Sequence, residues 1–78
     1  MEADAGSVVN WTWGDADPYQ WRVEASLDGI TGWGFYDFVV GSGRTDDGFD
    51  DSTYVRVVGV DATNVPVTGF SNVVVTFF

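Results

Sequence analysis

The chain has 78 residues, neither cysteine nor histidine, and a formal charge of −9 from three Arg against twelve Asp and Glu. One domain is the expectation, near the lower limit for a self-sufficient apolar core, because a chain this short hides only about 60% of its unfolded surface. Disulfide staples and thiolate metal sites are excluded, and the charge would repel a phosphate backbone, so nucleic acid is not an expected partner.

Lys is absent, and Leu, Ile and Met occur once each against fourteen Val and ten Gly. These propensities predict strand rather than helix. Four Trp, three Tyr and six Phe supply the mass for a small, ring-filled core. No stretch approaches the roughly 20 apolar residues of a membrane span, and no signal peptide is visible over residues 1–10, so no membrane partner is expected.

Taken in order, Met1 to Gly6 is acidic and aperiodic and predicts a loose terminus or a residual first strand. In Val8 to Trp13, Val9, Trp11 and Trp13 alternate with Val8, Asn10 and Thr12, which predicts a strand with Trp11 and Trp13 inward. Gly14 to Pro18 is a turn by composition. From Tyr19 to Ser26 the alternation places Trp21, Val23 and Ala25 on one face. The Asp28-Gly29 pair then predicts a hairpin into Trp33–Phe38, where aromatic residues occupy both parities and one face is expected to stay exposed.

Gly41 to Ser52 is the most polar stretch, with Arg44-Thr45 as a short strand and Phe49 as a plug at the core edge. A last hairpin joins Tyr54–Val60 to Ser71–Phe77 across Asp61–Gly69, with Val55 and Val57 inward. The expected fold is all-β, an antiparallel two-sheet β-sandwich of about six to seven strands.

The order of these pieces resembles the fibronectin type III family, particularly its bacterial and phage versions. The resemblance spans Val8 to Phe77 and rests on an inward Trp in the opening Val9-Asn10-Trp11-Thr12-Trp13, on Trp21-Arg22-Val23 followed by Ser26-Leu27-Asp28-Gly29, on Arg56-Val57-Val58-Gly59-Val60-Asp61, and on Ser71-Asn72-Val73-Val74. Two departures stand out. The family's tyrosine before the sixth strand falls on Thr53 if Val55, Val57 and Gly59 face inward, with Tyr54 able to take the role only through a one-residue bulge, and only six residues precede Ser7 where the family has a further edge strand, so that strand is expected to be truncated, missing or borrowed. The resemblance implies a non-catalytic structural or interaction module, with a virion surface or extracellular setting. An accessory or decoration subunit of a phage particle is the favoured reading. The alternatives are a carbohydrate-binding module or an excised domain of a bacterial adhesin or secreted enzyme.

The candidate site residues follow from chemistry. Without His or Cys the commonest general base and the best nucleophile are missing, so no enzyme is expected. Asp46, Asp47, Asp50 and Asp51, joined by Asp15 and Asp17, are weak candidates for a hard cation, but their spacing is not that of an EF-hand and a solvated loop is the default. No cofactor is expected. Trp33, Phe35, Tyr36, Phe38 and Phe78 are the candidate contact residues, most simply for a protein, self or scaffold, with Trp33, Tyr36 and Phe38 able to stack on a glycan.

Overall fold

The computed structural model describes residues 1–5, 8–14, 16–41, 43–45, 49–50 and 52–77. These carry seven strands: β1 (Glu2–Asp4), β2 (Val8–Asn10), β3 (Gln20–Ser26), β4 (Gly34–Val39), β5 (Arg44–Thr45), β6 (Tyr54–Val60) and β7 (Val74–Val75). They form two antiparallel sheets, ordered β1-β2-β5 and β4-β3-β6-β7. The expected all-β, two-sheet sandwich is the fold found.

The two longest strands, β3 and β6, pair in unbroken register from Gln20↔Val60 to Ser26↔Tyr54 at the centre of the larger sheet. Both keep β-branched or aromatic residues at alternate positions, so the inward row Trp21, Val23, Val55 and Val57 is buried as expected. From the smaller sheet Val9 and the adjoining Trp11 meet this row, and Phe49 closes one edge. The ring of Trp21 receives Trp11 edge-on at 6.1 Å and Trp13 tilted at 4.9 Å, separations typical of favourable aromatic pairs.

Four observations refine the expectations. First, of the alternatives for the terminus, the residual strand is the one found: residues 2–4 pair on β2 through Ala3↔Val9. Met1 packs against the core, and its ammonium donates to Asn72 Oδ1 at 2.6 Å while Asn72 Nδ2 donates to the Met1 carbonyl at 3.0 Å. The segment is therefore tied down at both faces, and β2 is not an open edge.

Second, β2 ends at Asn10, so Trp11 and Trp13 follow the strand rather than belong to it, and Trp13 is only half-buried. The Trp11 N–H still donates to the Gly43 carbonyl at 2.8 Å, one step beyond the Asn10↔Arg44 pair, and the regular ladder stops at Gly43. Its φ of 64° and the nearness of the Trp11 carbonyl and Trp13 ring leave no room for a side chain. Trp13 then turns its Nε1–H to Asp17 at the surface, 2.8 Å away.

Third, the return strand of the last hairpin is regular only at Val74–Val75. Before it, Thr68 and Ser71 replace ladder partners with hydroxyls, which accept from Gly59 N at 2.8 Å and Val57 N at 2.9 Å. Side chains here do what backbone carbonyls do in a strand.

Fourth, Val58 and Val60 are fully buried although their parity points away from the core. Beside them runs the returning segment, with Val60 bridged to Pro66 and the Val67 N–H donating to the Gly59 carbonyl at 2.9 Å, and Arg22, opposite Val58 on β3, donates to Asn64 Oδ1 at 3.0 Å.

Candidate interaction surface

The mixed parity of the Trp33–Phe38 run has a local cause. In the β3–β4 ladder Val23 pairs with Asp37 and Glu24 with Phe35, so the register steps by one residue at Tyr36. This one-residue β-bulge inserts a half-turn of pleat, so residues on either side of it that differ in parity share a face. Phe35 and Phe38 both stand outward with ring centroids 4.8 Å apart, while Tyr36 turns inward and stacks on Phe49 at 4.3 Å. The bulge also interrupts the unpaired side of an edge strand, a common guard against indiscriminate strand pairing.

Beside this pair lies an ordered polar cluster. Glu24 accepts from Arg22 Nε at 3.0 Å and from Arg56 Nε at 2.8 Å. The Arg56 guanidinium is held between two rings, 4.2 Å from the Trp33 centroid and 4.0 Å from that of Phe70. Each cation–π contact contributes about 0.5–2 kcal/mol, more as the cation loses water. Trp33 therefore spends one ring face inside the molecule. The two Arg and Glu24 sum to +1 (+2 − 1), and Asp28 and Asp37 of the same hairpin bring it to −1 (+2 − 3).

The hairpin tip carries two further exposed apolar side chains. Leu27 is 95% and Ile30 80% exposed, yet the turn carrying them is tightly bonded. Asp28 Oδ1 accepts from Ile30 N at 2.9 Å and Thr31 N at 2.8 Å, and Oδ2 from the Thr31 hydroxyl at 2.9 Å. Those donors hold the Asp28 carboxyl well below the usual carboxylate range. Ser26 Oγ donates to the Thr31 carbonyl at 2.6 Å. Gly29, at φ 74°, lies under the Tyr54 ring, where a Cβ would come within 2.5 Å of a ring carbon.

Of the residues singled out in the sequence, Phe35, Phe38 and Trp33 come together on the outer face, and Tyr36 faces the core instead. Phe78 lies outside the described residues, as do Asp15, Asp46, Asp47 and Asp51. Asp50 is exposed, and its backbone carbonyl accepts from the Thr53 and Thr76 hydroxyls at 2.8 and 2.7 Å. Thr53 thus ties Asp50 to the start of β6. Sequence reasoning missed Leu27, Ile30 and Phe70. The signal for the first two was present: an Asp-Gly turn has no conformational need of flanking Leu and Ile. Comparison with family models, with curated proteins and with solved structures finds no match to this chain.

Proposed function

We propose that this fibronectin type III-like sandwich is a non-catalytic interaction module that docks onto a protein through its β3–β4 hairpin. The observation that carries the reading is the pairing of exposed apolar side chains with a rigid frame: Leu27, Ile30, Phe35 and Phe38 stand in solvent on one hairpin whose turn and strand are fixed by side-chain bonds and a bulge. Apolar groups exposed together mark interfaces, and a preorganised loop loses little entropy on docking. Aromatic and aliphatic anchors surrounded by ordered polar groups are also the anatomy of an interface centre. The setting kept from the family resemblance is an accessory subunit on a larger assembly such as a phage particle.

The test uses the full chain against purified proteins encoded beside its reading frame, by biolayer interferometry. At least one should bind, and Leu27→Ser combined with Phe35→Ser should weaken that binding at least tenfold while leaving the thermal melt unchanged. Binding that survives the double substitution, or no binding to any neighbour or to a second copy, would overturn the proposal.

A further inference from the structure

Of the strands at the sheet edges, β1 has three residues and β5 and β7 two each, whereas β4 has six. An edge of that length, carrying exposed Phe35 and Phe38 and continuing into exposed Val40, is the one at which a further strand could add. Lys, the usual deterrent on such an edge, is absent from the chain.

The hydrogen bonds of the larger sheet fix which groups of β4 face the open side. In β6 the Val57 and Gly59 amides donate to the Ser71 and Thr68 hydroxyls, and their carbonyls accept from Ser71 N and Val67 N, all in the returning segment. Successive residues of a strand send their backbone groups to opposite neighbours, so Arg56 and Val58 bond to β3, at Glu24 and Arg22. By the same alternation Trp21 and Val23 of β3 bond to β4, at Val39 and Asp37. Phe38 lies between these two, and its N–H and C=O therefore point away from β3.

The register of β4 steps at Tyr36 and the strand ends at Val39. Beyond the step, among Asp37, Phe38 and Val39, Phe38 alone turns its backbone to the open side. Its N–H is already in use, because Asp37 Oδ1 accepts it at 2.8 Å. An antiparallel newcomer must exchange both N–H and C=O bonds with the residue it faces, and here it would have to displace a carboxylate first.

We propose that Asp37 closes the β4 edge to strand addition by capping the Phe38 amide. For the docking hairpin it follows that contact is made through side chains on a folded partner, not by an extended segment joining the sheet. That consequence rests on the docking reading; the closure of the edge does not.

Two measurements on the full chain test the closure. In Asp37→Ala the Phe38 amide should exchange with solvent about tenfold faster than in wild type, whereas Asp37→Asn, which keeps an acceptor, should stay within about threefold. Sedimentation velocity at about 0.15 M salt then uses the Leu27→Ser, Phe35→Ser background, in which two of the apolar anchors are gone. Adding Asp37→Ala should produce association that grows with protein concentration. Adding Asp37→Asn should not, although both substitutions change the net charge equally, to −8 (−9 + 1). Asp37→Val replaces Asp37→Ala if that variant does not fold. Unchanged exchange at Phe38 in Asp37→Ala, a monomeric Ala form, or equal association of the Ala and Asn forms would overturn the proposal. Failure of the docking reading would appear elsewhere, as partner binding indifferent to Leu27→Ser with Phe35→Ser, and would leave both of these results standing.

Discussion

Asp28 and Asp61 show how single carboxylates set the turns of this chain. Asp61 Oδ1 accepts from Thr63 N at 2.9 Å, Val65 N at 3.0 Å and the Thr63 hydroxyl at 2.8 Å, and like Asp28 it is held below its ordinary value of 3.8 by those donors. In each case the folded pKa lies below the unfolded one. The ionised forms therefore contribute stability that is fully present above about pH 4 and is lost as pH falls through the folded values. Thermal melts taken from about pH 7 down to about pH 2 should show a falling acid limb. In Asp28→Asn that limb should be shallower, because one titrating group is gone, and a limb identical to wild type would show that Asp28 is not ionised against its donors. The Asp28 turn was legible in the sequence, since Asp-Gly with a Thr three residues on is a local signal. The Arg56 stack was not, because Trp33, Arg56 and Phe70 are far apart in the chain and only the strand register brings them together.

At the scale of elements, parity carried most of the sequence reading and failed where it was broken. Clean alternation in Tyr19–Ser26 and the Val55, Val57 row identified the core faces of β3 and β6 correctly. The run from Trp33 to Phe38 has no single parity because Tyr36 is an inserted residue, and a bulge has no signature in composition beyond the broken alternation itself. The outer burial of Val58 and Val60 was hidden for a different reason, since what lies beside them, Arg22 on β3 and the segment returning through Pro66, is set by pairing and not by local alternation. The bulge makes a sharp prediction about two adjacent rings. Tyr36→Ala should cost about 2–3 kcal/mol, from lost burial and the stack on Phe49. Phe35→Ala should stay within about 0.5 kcal/mol, as surface substitutions do. Denaturant melts of the two variants decide this, and comparable losses, or the reverse order, would place the bulge elsewhere in β4.

For the whole molecule, composition and turn spacing made the sandwich legible, whereas closure of its first edge was not. Three residues, Glu2–Asp4, are too few to show periodicity, and their anchor is the Met1–Asn72 pair joining positions 71 apart. With β2 paired by the chain's own residues and the sheet now ending on the short, acidic Glu2–Asp4, association is expected through the β3–β4 hairpin and not through an unpaired β2. Charge then governs when the hairpin can be used. The molecule measures 31 × 23 × 18 Å and carries −9, of which the hairpin with Arg56 (Arg22, Arg56, Glu24, Asp28, Asp37) holds −1 (+2 − 3) and the rest of the chain −8 (−9 + 1). At about 0.01 M salt the screening length of roughly 30 Å matches the long axis, so two copies repel as whole bodies; at about 0.15 M it falls to roughly 8 Å, and only groups near the contact are felt. Sedimentation velocity should therefore find a monomer at low salt and a growing self-associated fraction as salt and protein concentration rise. Leu27→Ser combined with Phe35→Ser should remain monomeric at every salt concentration, because screening alone supplies no attraction once the apolar anchors are gone. Association of the double variant equal to wild type would assign the contact to another surface, the exposed Val75 and Phe77 beside β6 being the first to examine. A wild type that stays monomeric throughout would rule out a second copy as the occupant and leave the hairpin to a different protein.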